Sequence, residues 1–306
     1  MRRSELTCCT SCIIDGGSLG QTMNPMISWS FDDGLEAVYT RAFPMMEKIG
    51  MPGTVYVITS RVGRRGYLSE EQLLELARHG WEIGSHTATH PRLSKVPFDR
   101  LSYELRSSRE KIERFRIRAG NSARPVGIAF PYGRPSSIGG REIEASAHYY
   151  SYARVNANRN GLVCPHIVES SINILPVHPF ALLGRNPYLG GQRDFIMNVN
   201  EAIEANGWFI FYTHDLSCRT YPSLEEFSRM LRYVELLRDS GRMAVATVAD
   251  GLSRAQTKGY EQNMTLNALS NGSKLGPWSD KTNDLSIPAR ALDAGYHVFR
   301  AIKCFL

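Results

Sequence analysis

The sequence MISWSFDDG, residues 26–34, places two adjacent aspartates directly after an apolar run that predicts a buried strand over 26–31. Neighbouring residues on a strand point to opposite sides, but a strand end that turns at Gly34 lets Asp32 and Asp33 reach one site. An isolated Asp-Gly more often forms a turn that caps a helix. A soluble turn would need only one aspartate, so the pair indicates a use for two negative charges at this strand end.

Beyond this stretch, strand-like and helix-like segments alternate about seven times along the chain. Strands are predicted at residues 26–31, 53–60, 81–86, 125–130, 149–155, 171–175, 208–214 and 243–248. Helices are predicted at residues 36–49, 69–80, 97–118, 193–206 and 223–240. The alternation favours an α/β fold whose parallel sheet is closed, or nearly closed, into a barrel. An open doubly wound sheet is the alternative, although no G-x-G-x-x-G motif follows a strand.

Three regions of different composition are predicted. Residues 1–24 are rich in Cys, Gly and Ser and indicate an irregular leader, whereas residues 25–255 carry the strand and helix repeats and are predicted to form the main folded domain. Residues 256–306 are polar with little periodicity and predict a mostly irregular tail. No apolar h-region follows Met1, so the chain as written is expected in the cytoplasm; a wrongly assigned start would hide an export signal.

The composition is that of a globular protein with a basic balance. Of the 306 residues, 42% are hydrophobic and 22% charged, and the formal net charge is +6. The basic residues are scattered and no nucleic-acid motif accompanies them, which favours solvated helix faces over an anionic partner. No run approaches the roughly 18 apolar residues of a membrane helix. The six cysteines lack a framework spacing and predict free thiols more than a zinc site.

The stretch SHTATHPRL, residues 85–93, carries two histidines four residues apart, His86 and His90. In a helical turn this spacing puts both imidazoles on one side, in reach of a single cation. Pro91 disturbs an ordinary helix, so the pair is predicted on a tight turn after a strand. Two surface histidines in a loop are the alternative. Together with one carboxylate, the two imidazoles would leave a coordination position open for water or substrate.

Other predicted strands also end in an ionisable group or a tight turn. The strand at 125–130 runs into Pro131-Tyr132-Gly133, and the strand from Trp208 ends in His214-Asp215. The site of a parallel barrel lies at the C-terminal ends of its strands. Histidines and aspartates from distant parts of the sequence are therefore expected to meet on one rim.

In this order, the motifs FDDG, SHTATHP, AFPYG and THD resemble those of the polysaccharide deacetylase family, the NodB-homology or carbohydrate esterase family 4 fold. The resemblance covers about residues 26–250, and its first two motifs are highly specific together. It implies a distorted (β/α)7 barrel that holds one divalent metal ion, usually zinc, with cobalt or nickel as alternatives. Such enzymes remove N-acetyl groups from amino sugars, or O-acetyl groups from some glycans, so the implied partner is a glycan or an N-acetylated sugar.

The resemblance also implies a role for each matching residue. Asp33, His86 and His90 would bind the metal, whose charge would relieve the repulsion between the two aspartates. Asp32 would be the general base that takes a proton from the attacking water. His214 would be the general acid that protonates the leaving amine, although a lone histidine at the end of an apolar strand is often structural.

Residues of the third and last motifs would line the rest of the site. The backbone N–H of Tyr132 resembles the donor that stabilises the oxyanion, and Pro131 makes its turn rigid. Tyr212 stands in the last motif, where the family usually places a leucine against the acyl methyl group. Asp215 would either orient His214 or cap the next helix.

Two features of the family are missing from the sequence. Many members carry an arginine near the third motif that pairs with the base aspartate, and Ala129 stands at this position. Arg134 and Arg185 are the candidates to replace it. The usual Asp-Trp motif, which supports the acid histidine and lines the acetyl pocket, is not visible in residues 149–160. The identity of the acyl group is therefore less defined than the hydrolysis.

The leading hypothesis is a metal-dependent N-deacetylase of an amino-sugar polysaccharide or glycoconjugate. A hydrolase of a non-sugar amide on a similar barrel is a second enzyme hypothesis. A glycan-binding module with a degenerate site is the alternative from another class; Ala129 favours it and the complete set of predicted ligands, base and acid opposes it. A nucleic-acid binder is supported by the net charge alone, and the oligomeric state is left open.

Overall fold

The structure, a computed structural model, describes residues 23–120, 125–133, 140–156, 172–174, 177, 179–186, 191–216 and 222–256. The strands are β1 (Met26–Phe31), β2 (Thr54–Val57), β3 (Glu82–Ser85), β4 (Gly127–Ala129), β5 (Tyr152–Asn156), β6 (Leu182–Arg185), β7 (Trp208–Thr213) and β8 (Ala244–Val245). The helices are α1 (Phe43–Glu47), α2 (Glu70–Arg78), α3 (Phe98–Arg118), α4 (Arg141–Ala147), α5 (Gly191–Glu204) and α6 (Leu224–Asp239). A further helical segment covers residues 248–256.

Strands β1 to β7 form a closed parallel barrel. Each strand pairs with the next in chain order, and β7 returns to pair with all six residues of β1. The other edge of β1 is shared, because β2 pairs with Ser30 and Phe31 while β8 pairs with Met26 and Ile27. The predicted distorted (β/α)7 barrel is confirmed, and part of the distortion lies in this divided edge of β1.

The barrel strands bury both of their faces, and successive residues alternate between two cores. In β1, Ile27, Trp29 and Phe31 pack in the larger core together with side chains of the helices. Met26 belongs instead to a smaller core formed mainly by the strands and the segment 248–256. The smaller core therefore fills the barrel interior. Because side chains alternate in direction along a strand, a polar residue that lies an even number of positions from Met26 also faces the interior.

The helix boundaries follow the capping residues. Ser69 and Ser223 are the N-caps of α2 and α6, and each forms a capping box with the residue three positions later. The predicted helix 36–49 is divided into a π-helical turn (Val38–Ala42) and the short α1. Helix α4 was not among the predicted helices.

The sixth strand is β6, and the prediction of a strand at 171–175 is wrong for the residues that the structure describes there. Of residues 172–174, Asn173 forms one isolated antiparallel bridge to Trp208. Its side-chain amide donates to the Leu183 carbonyl oxygen (3.0 Å) and accepts from the Leu183 N–H (2.8 Å). A side chain thus takes part of the pairing that a strand backbone would make, which the sequence pattern does not reveal.

Most of the predicted leader and tail, as well as all six cysteines, lies outside the described residues. Within the described ranges, none of the helices combines the length and the apolar character that crossing a bilayer requires.

Candidate active site

The turn after β1 brings the two adjacent aspartates to one site. Asp32 still follows the strand, because its N–H donates to the Thr213 carbonyl oxygen at 2.8 Å. Asp33 (φ 71°) and Gly34 (φ 72°) both take left-handed backbone conformations, which reverse the chain direction. A side chain at Gly34 would also collide, since its Cβ would lie 2.8 Å from Val57 Cγ1. The predicted sharp turn at this glycine is therefore present.

Asp33 lies beside the two histidines of the second motif. Its Oδ1 atom is 3.6 Å from His86 Nε2 and 3.5 Å from His90 Nε2. All three potential ligand atoms lie within 4.8 Å of one another. Asp33 Oδ1 is buried and has no hydrogen-bond partner among the described residues. A buried carboxylate oxygen without a donor is costly, so this arrangement indicates that a cation completes it.

These three side chains fit a divalent metal ion. In a tetrahedral zinc site with bonds of about 2.1 Å, neighbouring ligand atoms lie about 3.4 Å apart, close to the two distances from Asp33. His86 Nδ1 lies 2.8 Å from the Ala129 carbonyl oxygen, which can only accept, so this nitrogen carries the proton and Nε2 keeps its lone pair. Burial lowers the pKa of His86, and burial together with the charge of His86 lowers the pKa of His90 to about 4. Both imidazoles are therefore neutral at pH 7, as metal ligands must be.

Helix α3 holds the turn that carries His90. Thr87 (φ 66°) and His90 (φ 65°) have left-handed conformations that cost energy for residues with a side chain. The buried carboxylate of Glu104 accepts from the Thr89 N–H (2.7 Å) and the Thr89 hydroxyl (2.6 Å). Arg100 pairs with the same carboxylate at 2.7 Å. These contacts stabilise the strained turn and fix the position of the second histidine.

Arg154 in β5 binds Asp32. One guanidinium nitrogen, Nη2, lies 2.7 Å from Oδ1 and 2.5 Å from Oδ2 of Asp32, and both side chains are buried. Side chains alternate in direction along a strand, and Met26 and Tyr152 point into the barrel interior. Asp32 and Arg154 lie an even number of residues after Met26 and Tyr152, so they point to the same side and meet. Nη1 also donates to the Asn156 side-chain oxygen at 3.0 Å.

Among the described residues, Arg154 is the arginine that pairs with Asp32, a role for which Arg134 and Arg185 were the candidates. Arg185 instead lies 3.7 Å from Asp194, and Arg134 lies outside the described residues, so that candidate is not tested. Glu104 was not among the predicted site residues either. The sequence does hold a signal for Arg154. It is a single arginine in an otherwise mostly apolar and aromatic strand, two positions after Tyr152 and therefore on the same side of the strand.

The arginine keeps the candidate base ionised. Burial alone would raise the pKa of the Asp32 carboxyl, but the charge of the Arg154 guanidinium and its hydrogen bonds to the carboxylate oppose this shift. The net effect holds the pKa of Asp32 below its ordinary value of 3.8. At neutral pH the site therefore contains a buried carboxylate that is charged and oriented.

The remaining predicted residues lie on the same rim. His214 is exposed and directly follows β7, with its ring centroid 6.2 Å from that of the half-buried Tyr212. Asp215 is half-buried next to it. Pro131 is buried, whereas Tyr132 is 50% exposed, with a left-handed backbone (φ 59°) and a ring centroid 4.8 Å from that of His90. The roles predicted for these residues remain predictions.

Comparison with known proteins finds, over part of the chain, a match to the family that the motifs resemble. Residues 20–150 match the family model described as polysaccharide deacetylase. This segment includes the first three motifs and ends before Arg154 and His214.

Three similar proteins extend the comparison. The Staphylococcus aureus (strain MRSA252) poly-beta-1,6-N-acetyl-D-glucosamine N-deacetylase is 26% identical over 155 residues, which is 46% of this chain and 53% of that protein. YxkH of Bacillus subtilis is 36% identical over 81 residues, 26% of this chain and 29% of its own length. The chain thus spans about half or less of these two relatives. The solved structure of the peptidoglycan deacetylase PdaC from Bacillus subtilis overlaps with a TM-score of 0.47 at 14% identity, covering 81% of this chain and 98% of that one.

Proposed function

We propose that the chain is a metal-dependent hydrolase that removes acetyl groups from N-acetylated amino sugars of a polysaccharide or glycoconjugate, or O-acetyl groups from a related glycan. The observation that carries this proposal is the convergence of Asp33, His86 and His90 directly beside an ionised Asp32. A pure glycan-binding site has no need of a buried carboxylate held in its charged form by a guanidinium. The arrangement therefore favours catalysis over the alternative of a degenerate binding module.

Asp33, His86 and His90 would hold the metal ion, most simply Zn²⁺, with cobalt or nickel as other divalent candidates. When bound, the metal supplies Lewis-acid chemistry, which polarises the acyl carbonyl and makes water more acidic. Histidine and carboxylate ligands suit these metals, and the neutral state of both imidazoles makes them ready to bind without first losing a proton.

Asp32 is the group that takes the proton from the attacking water. A general base must be ionised and must hold its position, and Arg154 provides both conditions through its two contacts with the carboxylate. The guanidinium also lies 4.5 Å from the ring centroid of Tyr212, which packs against it. Because the base is oriented before substrate binds, no reorganisation is needed at the moment of reaction.

His214 then donates a proton to the leaving nitrogen, or to the leaving oxygen of an ester. Its exposed position at the end of β7 lets it exchange protons with solvent between turnovers. The backbone N–H of Tyr132, at the rigid turn after Pro131, stabilises the negative charge that develops on the acyl oxygen. Base and acid thus come from the strands β1 and β7, which are neighbours in the barrel.

The first substrate to test is an oligomer of N-acetylglucosamine, since the similar Staphylococcus aureus protein is named for a polymer of this sugar. We expect acetate release by the metal-loaded protein, loss of release in chelator, and recovery on adding zinc or cobalt. A small cyclic imide serves as the comparison substrate and tests the non-sugar amide hypothesis.

The variant Asp32→Asn should lower the rate of acetate release by about 10²- to 10⁴-fold, as expected for the loss of a general base. Its zinc content should stay the same, since the three ligands are unchanged. The matched control is Asp239→Asn at the end of α6, which removes an equal charge outside the site and should leave the rate unchanged. A metal-loaded wild type that releases no acyl group from glycans, esters or amides would refute the proposal.

A further inference from the structure

A row of neighbouring groups, the rings of His86, His90 and Tyr132 and the guanidinium of Arg92, leads from the buried candidate metal site to the protein surface. The ring centroids of His86 and His90 are 4.8 Å apart, and those of His90 and Tyr132 are also 4.8 Å apart. The guanidinium carbon of Arg92 lies 4.5 Å from the Tyr132 ring centroid. Arg92 and Tyr132 are both exposed. The outer end of this row is therefore the Arg92 guanidinium, at the mouth of the barrel, the end that carries the candidate site. The ring of Tyr132 lies between it and the candidate metal ligand His90.

A second arginine lies on the same rim in a similar setting. The turn after β2 is tied to the histidine turn, because the Ser60 N–H donates to the Ala88 carbonyl oxygen at 2.9 Å. Arg61, the next residue, lies with its guanidinium carbon 5.1 Å from the Tyr67 ring centroid and donates to the hydroxyl of that tyrosine. Both rim arginines are thus held by tyrosine rings.

The charge of these two arginines is not neutralised within the described part of the chain. Neither Arg61 nor Arg92 forms an ion pair with a carboxylate of the described residues. A guanidinium over the face of a tyrosine ring is attracted to that face and can still donate N–H groups to a carboxylate or phosphate. Arg92 also covers part of the Tyr132 ring, which leaves less of that ring for stacking against a sugar.

We propose that Arg92, positioned by Tyr132, forms a subsite for an anionic substituent, a carboxylate or a phosphate, on the glycan next to the sugar that is deacetylated. This inference rests on the proposed function and adds a preference for acidic glycans to it. Arg61 raises the positive potential of the same rim. Since the subsite binds a part of the substrate that does not react, its contribution is expected mainly in KM.

The test uses matched oligosaccharides and the full-length protein loaded with zinc. The first is a tetrasaccharide in which N-acetylglucosamine alternates with a uronic acid, and the second is the same compound with its carboxylates methyl-esterified. A third, an N-acetylglucosamine tetramer phosphorylated at O6, is compared with the unmodified tetramer and separates a carboxylate preference from a phosphate preference. Acetate release gives kcat and KM for each compound.

The wild type should favour at least one anionic compound over its neutral partner by about three- to tenfold in kcat/KM, with the preference weakening as salt is added. Arg92→Ala should remove the preference mainly through KM, so that kcat/KM on each anionic compound falls to the value of its neutral partner. Arg92→Lys should restore part of the preference, because the charge returns without the planar fork. The control is Arg78→Ala at the C-terminal end of α2, which removes an equal charge at the opposite end of the barrel and should retain the preference.

Two results would overturn the subsite. Equal kcat/KM on all anionic and neutral partners would remove it while leaving the proposed function intact. An equal loss on both kinds of substrate in Arg92→Ala would show that this arginine only packs against Tyr132. Acetate release from none of the four compounds would be a failure of the proposed function itself, and the inference would fall with it.

Discussion

The barrel interior buries one carboxylate near each end, and the two differ in their partners. At the mouth, Asp32 is bound by the charged guanidinium of Arg154. Towards the opposite end, Glu82 accepts only from neutral donors among its described contacts, the Thr54 hydroxyl (3.0 Å), the Tyr152 hydroxyl and the Ala249 N–H (2.8 Å).

The two carboxyl groups respond to burial in opposite ways. Burial raises the pKa of Glu82 above its ordinary value of 4.5, and the neutral donors only partly offset this effect. The pKa of Asp32 lies below its ordinary value, because the neighbouring Arg154 guanidinium opposes the effect of burial. Burial alone therefore does not decide whether an acid is ready to act as a base. The partner decides it, and the barrel places a cationic partner at its mouth.

The largest effect on stability is expected when Arg154, the charged partner of Asp32, is replaced. Arg154→Met should lower the free energy of unfolding by about 3–5 kcal/mol, because it leaves Asp32 buried and unpaired. Urea denaturation measures the change. Arg185→Met is the control, since its ion pair at 3.7 Å is partly exposed and is worth about 1 kcal/mol or less. Equal losses in the two variants would contradict the importance assigned to the buried pair.

Glu104 of helix α3, a buried carboxylate outside the barrel interior, allows a test of whether its contacts with the histidine turn support metal binding. Glu104→Gln should weaken zinc binding by about tenfold, because the turn that carries His90 loses its charged anchor at Thr89. Isothermal titration calorimetry with zinc gives the affinity. Glu113→Gln, on the same helix and paired with Arg109, should bind zinc like the wild type. An unchanged affinity in Glu104→Gln would show that the turn holds its shape without this contact.

A smaller effect is expected at the opposite end. Glu82→Gln should cost only about 1 kcal/mol of unfolding free energy, since an amide can accept from Thr54 and the Ala249 N–H and donate to the Tyr152 hydroxyl. Urea denaturation at pH 7 measures this value beside that of Arg154→Met. If Glu82→Gln proves as destabilising as the arginine variant, the contrast between the two ends is wrong.

The finest test is the sign of the pH dependence. The contribution of Glu82 to stability is fully present below pH 4.5 and is lost as the pH rises through its higher folded-state pKa. That of Asp32 is present above pH 3.8 and is lost as the pH falls through its lower folded-state pKa. With rising pH, the stability of the wild type relative to Glu82→Gln should decrease, and relative to Asp32→Asn it should increase. Denaturation in chelator over a pH series gives both slopes, and slopes of equal sign would disprove the comparison.

The sequence allowed the prediction of those parts of the site that are local. Asp32 and Asp33 meet one site because Gly34 follows them, and His86 and His90 share a turn that Pro91 helps to define. These signals lie within a few residues of the groups they position. The alternation of strands and helices indicated a parallel sheet that is closed or nearly closed, and the resemblance of the motifs implied the seven-stranded barrel.

The parts that were missed depend on side-chain contacts between separate elements of the fold. Arg154 and Asp32 are separated by 122 positions, and they meet only because β1 and β5 both turn these residues into the barrel interior. Glu104 reaches Thr89 from a helix whose register the sequence does not fix against the turn. The error at 171–175 has the same origin, since the Asn173 side chain binds Leu183 in a strand that follows later.

The divided edge of β1 has a consequence for biosynthesis. The candidate metal ligands and the candidate base all lie within the first ninety residues, and Arg154 and His214 follow well before residue 240. At the opposite end of the barrel, Met26 and Ile27 of β1 pair with Ala244 and Val245 of β8, and the interior side chains of Val248, Ala249, Leu252 and Ala255 come later still. During synthesis on the ribosome, the candidate site residues at the mouth are therefore made before the segment that closes the opposite end of the barrel.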